Sequence, residues 1–305
     1  MNILFASTKE QPEFWFPLLQ KVLPQDRFFA WPDTNGGDID VALVATHPGG
    51  MFSGLARLKL IQSLWMGVEN IVGDPELPRG VPVARLIDPG MVAAMGETVI
   101  AQVLDWHRHF WCYRQFQHDR VWKHRRQYLA SDRTIGLLGL GELGGSVAAK
   151  LRALEFNVAG WSRRPKKLEA VFCSTDLEQV VRRSDALVCL LPLTGKTQGI
   201  INSRMLSLMP KDGCVINVAR GAHVVIPDLL AALDSGQLAR AYLDVFETEP
   251  LPADSPLWSH PGVTVTPHIA ALTEPRTSVG KIAQNIERLR RGEAPLNTVD
   301  FAAGY

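Results

Sequence analysis

The chain has 305 residues, 46% hydrophobic and 21% charged, values of a soluble globular protein and not of a disordered or fibrous one. Its 32 Lys and Arg against 31 Asp and Glu leave a formal charge of +1, which argues against a general nucleic-acid binder, whose domain is usually strongly basic. The length suits two ordinary domains or one large one.

The opening "MNILFAS" has no basic region and turns polar after five residues, so no signal peptide is expected. Apolar runs such as "ALVCLLPL" fall far short of the roughly 20 residues of a membrane helix. A cytoplasmic location follows as the expectation. In the first third "NILFAS", "VALVAT", "LIQSLW" and "VPVARL" read as strands, with a helix around Pro17 to Leu23. "MGETVIAQVLDWHRHFWCYRQF" reads as one long helix, without proline and with Val99, Val103, Leu104 and Trp106 apolar.

A second series begins at Thr134, with strands "TIGLLGL", "NVAGWS", "ALVCLL", "CVINVA", "RAYLDV" and "VTVTPH". "TEPRTSVGKIAQNIERLRRGE" reads as a closing helix, capped by Thr273, with Pro275 in its first turn and Gly292 past its end. Val279, Ile282, Ile286 and Leu289 share one face of it. Strands alternating with helices predict an α/β fold of two domains with parallel sheets, with expected limits at residues 1–96 plus 275–305 for one domain and 97–274 for the other. Cys112, Cys173, Cys189 and Cys214 form no C-x-x-C pair and read as reduced thiols.

Chemistry enters at Gly139-Leu140-Gly141-Glu142-Leu143-Gly144, a G-x-G-x-x-G pattern. Its context suits dinucleotide binding, since a strand precedes it and a helix follows, with Val147, Ala148, Leu151 and Leu154 on a common face. Gly139 permits the tight turn, Gly141 admits a pyrophosphate, Gly144 allows close helix packing, and the helix start offers free N–H groups. About 20 residues on, an NAD site normally places an acid for the ribose 2′-OH. Here "GWSRRPKKL" supplies Ser162, Arg163 and Arg164 and no acid. Arg forks onto a 2′-phosphate through charge-assisted hydrogen bonds, which predicts NADPH over NADH. Lys166 and Lys167 read as charges in a solvated turn.

Three further stretches each follow a predicted strand: "INVARGAHV" around Arg220, "LDVFETEPLP" around Glu249 and "VTVTPHIAALTEP" around His268. Arg, Glu and His beside a nicotinamide suit ketone reduction, in which the carbonyl oxygen gains charge and needs a proton. Glu249 would favour the imidazolium of His268 as the acid. Arg220 would bind a substrate carboxylate and polarise its carbonyl.

At these residues the chain resembles the D-2-hydroxyacid dehydrogenases over nearly its whole length, which implies two Rossmann-like domains with the active site in the cleft between them, a flavodoxin-like substrate-binding domain (1–96 plus 275–305) and a dinucleotide-binding domain (97–274). "GLLGLGELGG", "NVARG", "LDVFETEPLP" and "TPHIA" occur in that family's order. The resemblance implies Arg220, Glu249 and His268 as the catalytic trio and Asp244 as the holder of the nicotinamide carboxamide. It also brings Leu191, Pro192 and the rest of the "LPLT" turn, with Thr197 and Ala219, to the cofactor. "RGAHVV", "DLLAALDSGQL", "EPLPADSPLW" and the terminal "GY" look like its glyoxylate/hydroxypyruvate reductase A subgroup, which uses NADPH. In that subgroup the loop matching "LWMGVEN" offers backbone N–H groups to the substrate carboxylate, which implies Met66, Gly67 and Val68, with Arg85 nearby. Trp65 and Glu69 replace the usual Gly and Asp of that loop, a departure that bears on substrate size and not on the chemistry.

The implied function is NADPH-dependent reduction of glyoxylate to glycolate and of hydroxypyruvate to D-glycerate, by a homodimer paired through the cofactor domain. No metal, nucleic acid or membrane partner is expected. Phosphoglycerate dehydrogenase is the alternative enzyme, disfavoured by the missing acid after the Gly-rich turn. A nucleotide-sensing regulator is the alternative of another class, disfavoured by the complete trio. His107, His109, His118 and His124 read as part of a structural helix and a surface loop, not a metal site. His47 lies on a loop that could face the cleft, His223 and His260 read as surface or loop residues, and Trp15, Trp31 and Trp106 as core or interface groups.

Overall fold

The computed structural model describes residues 1–301, so the terminal Gly304 and Tyr305 lie outside the described residues. The chain forms two compact units, Met1–Met91 with the segment from Thr273 onward, and Val92–Leu272. The first limit therefore falls at Met91, not residue 96, and the return at Thr273, not residue 275.

In the first unit the order is β1 (Asn2–Ser7), α1 (Pro12–Val22), β2 (Arg27–Ala30), β3 (Val41–Ala45), β4 (Leu60–Ser63), α2 (Glu69–Val72) and β5 (Val83–Ala84). Its sheet runs β2-β1-β3-β4-β5, parallel at every pairing. β3 and β4 are buried at every position, which explains their continuous apolar runs where alternation would mark a sheet with one wet face. α1 starts at Pro12, which suits the first helical position, and carries Pro17 in its interior. β2 is a half-exposed edge strand without alternation, which is why its sequence gave no strand signal.

The second unit takes up α3 (Pro89–His107) from Val92, then α4 (Phe110–His118), β6 (Thr134–Leu138), α5 (Glu142–Ala153), β7 (Asn157–Trp161) and β8 (Phe172–Ser174). It continues through α6 (Leu177–Val181), β9 (Ala186–Cys189), α7 (Ser203–Leu208), β10 (Gly213–Asn217), α8 (Ile226–Asp234), β11 (Leu238–Leu243) and β12 (Val263–Val265). The sheet order β12-β11-β10-β9-β6-β7-β8, all parallel, is doubly wound, with its order reversing between β6 and β9. One face is packed by Val99, Val103 and Trp106 of α3 and Val147 and Leu151 of α5. The other is packed by Met205 and Leu206 of α7 and Leu229 and Leu233 of α8. Cys189 and Cys214 are enclosed in the central strands, where burial pushes the Cys189 thiol up to about 12 and that of Cys214 well above its ordinary value.

The expected long helix breaks at His109, whose φ of 58° is left-handed. Its carbonyl restarts the ladder by accepting the N–H groups of Cys112 and Tyr113 at 3.0 Å each. Histidine is among the residues that tolerate this conformation, so no Gly or Pro announces the break. The closing helix α9 (Pro275–Arg290) belongs to the first unit and packs Val279, Ile282 and Ile286 into its core. Its cap is Glu274, whose carboxylate accepts the Arg276 N–H at 3.0 Å, and not Thr273, whose hydroxyl donates to the Leu64 carbonyl. Among the described residues no helix is long and apolar enough to cross a membrane.

His107, 5% exposed, packs edge-on against Phe156 and has no partner for Nδ1. Burial, reinforced by Arg108 and Arg133, depresses its pKa from 6.5 to about 4. Between those values the unfolded chain binds a proton that the folded chain refuses, so stability falls as pH drops through this window. Denaturant midpoints should therefore decline between about pH 7 and pH 5, and less steeply in His107→Phe. Parallel declines in the two proteins would assign the acid sensitivity to other groups.

Candidate active site

The Gly-rich turn joins β6 to α5 at the point where the strand order reverses, the usual nucleotide crevice of such sheets. Gly139 has φ 104° and lies so close to β9 that a Cβ would stand 2.9 Å from the Leu190 carbonyl oxygen. A Cβ on Gly144 would stand 1.9 Å from the Gly139 carbonyl oxygen, so this helix can approach its turn only with glycine there. Beside Gly141 the space is open, and Glu142 and Leu143 begin α5 with their N–H groups unpaired within the helix. A pyrophosphate fits this place by shape and by dipole.

Beyond β7, Ser162 donates its hydroxyl to the Arg164 carbonyl at 2.8 Å, and the side chains of Arg163 and Arg164 are exposed. Lys166 is not simply solvated, because its ammonium donates to the Leu140 carbonyl inside the Gly-rich turn. Lys167 is exposed.

The loops after β9 and β10 are latched together. The Thr197 hydroxyl donates to the Pro192 carbonyl and accepts the Thr194 N–H, both at 2.8 Å, so Thr197 shapes the turn below the buried Leu191. Asn217, the last residue of β10, donates to the Arg220 carbonyl at 2.8 Å and accepts the Ala219 N–H at 3.2 Å. Arg220 donates from Nη1 to the Ala219 carbonyl at 2.7 Å. His223, read as a surface or loop residue, lies in the loop after β10 but is fully buried, with Nδ1 3.1 Å from the Arg220 carbonyl and Nε2 3.3 Å from that of Pro192. At Gly221 a Cβ would stand 2.0 Å from the Phe246 backbone. The Arg220 loop thus presses on the loop that carries Glu249.

His268 donates from Nδ1 to Glu249 Oε2 at 2.7 Å, and Glu249 Oε1 accepts the Phe246 N–H at 2.9 Å. This contact assigns the imidazole hydrogen to Nδ1 and leaves Nε2 for another partner. The His268 side chain is 49% exposed. Asp244 follows β11 and is fully buried. Its carboxylate accepts the Thr266 hydroxyl at 2.6 Å, the Ile269 N–H at 3.0 Å and the Ala270 N–H at 2.9 Å. In this structure the group implied to hold a nicotinamide carboxamide is enclosed by the loop that carries His268. Asn217 and Thr266 escaped notice in the sequence; the available signal was a polar residue at the end of a strand, buried for Asn217 and half-buried for Thr266.

The remaining candidates belong to the first unit. Met66 and Gly67 are half-buried after β4, and Val68 is buried at the start of α2. The Trp65 indole donates to Glu10 Oε1 at 2.8 Å, so its ring is held among first-unit residues. Arg85 follows β5, its N–H donating to the Asn297 carbonyl at 3.0 Å, and burial pulls its guanidinium below the usual range against the opposing charge of Glu69. His47 is turned onto Asp74, with Nε2 2.6 Å from Oδ2 and its ring against Phe52.

Residues 100–270 match the model of the D-isomer specific 2-hydroxyacid dehydrogenase, NAD binding domain. A glyoxylate/hydroxypyruvate reductase A of Serratia proteamaculans is 42% identical over 313 aligned positions, covering all of both chains. A D-isomer specific 2-hydroxyacid dehydrogenase of Xanthobacter autotrophicus, solved with NADPH and MES, matches with TM-score 0.95 and 38% identity over 100% of this chain and 99% of that one. An NADPH-dependent glyoxylate/hydroxypyruvate reductase of Sinorhizobium meliloti, solved with NADP and sulfate, matches with TM-score 0.92 and 34% identity over the same shares. With the Gly-rich turn and the His268–Glu249 pair on a doubly wound sheet, these likenesses show that the chain belongs to the D-isomer specific 2-hydroxyacid dehydrogenase family.

Proposed function

We propose that this protein is an NADPH-dependent reductase of small 2-oxo acids, with glyoxylate and hydroxypyruvate as substrates. The observation that carries the reading is the His268–Glu249 contact, which leaves Nε2 on a half-exposed imidazole as a proton source. NADPH, when bound, supplies the hydride. The open start of α5 and the exposed Arg163 and Arg164, with no acid among residues 160–168, suit its pyrophosphate and 2′-phosphate. Arg220 holds the substrate carboxylate and draws charge toward the adjacent carbonyl. When doubly protonated, His268 passes the Nε2 proton to the carbonyl oxygen as negative charge develops there, and Glu249 keeps the ring oriented through Nδ1. In the first unit, the N–H groups of Met66, Gly67 and Val68, with Arg85, are the candidates for binding a substrate carboxylate. Cytoplasmic residence fits this chemistry and the free cysteines.

A homodimer accompanies this reading. Phe110, Trp122 and Leu129 of the second unit are 51%, 94% and 70% exposed, large apolar groups suited to burial against a second copy. Light scattering should give a dimer for the native protein and a monomer for Trp122→Glu. A monomeric native protein would remove the homodimer.

His268→Ala should lower kcat by about 10²-fold or more while leaving the Kd for NADPH within about twofold. Full turnover in that variant would remove His268 as the proton donor. Initial rates with hydroxypyruvate should be far higher with NADPH than with NADH. Replacing Arg163 and Arg164 together by Ala should raise the KM for NADPH by about tenfold or more, with that for NADH little changed. An equal loss for both cofactors would return these arginines to a solvated turn.

A further inference from the structure

We propose that Trp65 is a positioning residue for substrate binding: its indole, seated on the Glu10 carboxylate, holds the loop after β4 in the conformation that leaves the N–H groups of Met66, Gly67 and Val68 free for a ligand. The proposal rests on those N–H groups binding a substrate carboxylate. Among the described residues they meet no protein acceptor, whereas the chain is tied down on both sides of them. The Leu64 N–H donates to the Val44 carbonyl at 2.8 Å, and the Leu64 carbonyl accepts the Thr273 hydroxyl at 3.0 Å. The Val68 carbonyl accepts the Ile71 and Val72 N–H groups at 2.9 Å each, and its side chain is buried.

Trp65 is held at three points. Its backbone N–H donates to Ser63 Oγ at 3.0 Å, and its carbonyl accepts the Leu86 N–H at 3.1 Å. The third point is the side chain, whose indole N–H donates to Glu10 Oε1 at 2.8 Å while the ring packs, with Met66, on the first-unit core. An indole has a single donor, and an ionised acceptor makes the stronger bond to it. Glu10 is itself a firm seat. Its N–H donates to Ser7 Oγ at 2.8 Å, and that hydroxyl donates to the Ala45 carbonyl at 2.6 Å. Its Oε2 accepts the indole N–H of Trp15, a fully buried side chain of α1, at 3.1 Å. β1, β3 and α1 therefore all bear on the carboxylate that holds Trp65. The usual glycine of this loop has no side chain to make such a contact, so the departure at Trp65 adds an anchor. A loop held beforehand in its binding conformation costs less to order when the ligand arrives. The anchor acts on the group that every 2-oxo acid shares, so it strengthens binding without choosing among chain lengths.

The test is steady-state kinetics with glyoxylate, hydroxypyruvate and the bulkier phenylpyruvate on Trp65→Phe, Glu10→Ala and their combination, with Gly67→Pro as reference. Trp65→Phe keeps an aromatic ring and loses the donor, whereas Glu10→Ala keeps the donor and loses its seat. Each should raise the KM for glyoxylate and hydroxypyruvate by about threefold to tenfold, with kcat within about twofold of native, the mark of lost uniform binding. The double variant should be no worse than either single one, because both remove the same contact. The ratio of kcat/KM between phenylpyruvate and hydroxypyruvate should not move. A merely structural role would lower the folded fraction, and with it the apparent kcat, and leave KM where it was. If Glu10→Ala, which also strips Trp15 of its partner, does not fold, Trp65→Phe decides alone. Native KM values in Trp65→Phe and Glu10→Ala beside a raised KM in Gly67→Pro, which removes one N–H, would overturn the proposal and keep the loop as the carboxylate site. An unchanged KM in Gly67→Pro would remove that reading of the loop, and the proposal with it. A Trp65→Phe that gains activity on phenylpyruvate with a native KM for glyoxylate would make the ring a wall of the substrate pocket and overturn the proposal.

Discussion

Parallel pairing is the constraint from which the rest follows. A strand that must run alongside its neighbour in the same direction can be reached only by crossing the sheet, so helices cover both faces and every strand ends on one edge. In the second unit that edge collects the residues after β6, β9, β10, β11 and β12. Gly139, Leu191, Arg220, Glu249 and His268 span more than a hundred positions of sequence and still emerge from that side. These residues leave the sheet on one side because the hydrogen-bond pattern gives the chain no other place to turn.

Convergence alone does not aim a side chain. The loops on this edge are anchored by apolar side chains such as Leu140, Leu191 and Val245, and polar residues near the strand ends fix the backbone between those anchors. Asn217 builds the Arg220 loop from below, and His223 ties that loop to the Pro192 turn. Glycine acts in the opposite sense at position 221, by removing the atom that would keep two loops apart. Each device is local, lying within a few residues of the group it serves, which suits a site whose reacting groups must be placed to a fraction of an ångström.

How much of this was legible in the sequence depended on what kind of physics encodes it. Buried strands such as "VALVA" and "ALVC" announce themselves because both faces are enclosed, and the Gly-rich turn because close approach demands glycine. The edge strands Arg27–Ala30 and Phe172–Ser174 did not, since a short strand with one open side has little pattern to show. The break at His109 was invisible because a single left-handed residue ends a helix as cleanly as a glycine does, without changing the periodicity around it. Residue type and order singled out Arg220, Glu249 and His268, and the structure brings the last two into contact at 2.7 Å. The burial of His223 and the reach of Lys166 to the Leu140 carbonyl could not, because both depend on contacts between segments far apart in the chain.

The two thiols enclosed in β9 and β10 make the second sheet its own reporter. Neither ionises at neutral pH in place, and neither touches solvent, so an alkylating reagent reaches them only when the central strands part. The rate at which Cys189 and Cys214 become labelled therefore measures how often this sheet opens, and ligands that bind the closed sheet slow that clock in proportion to their affinity.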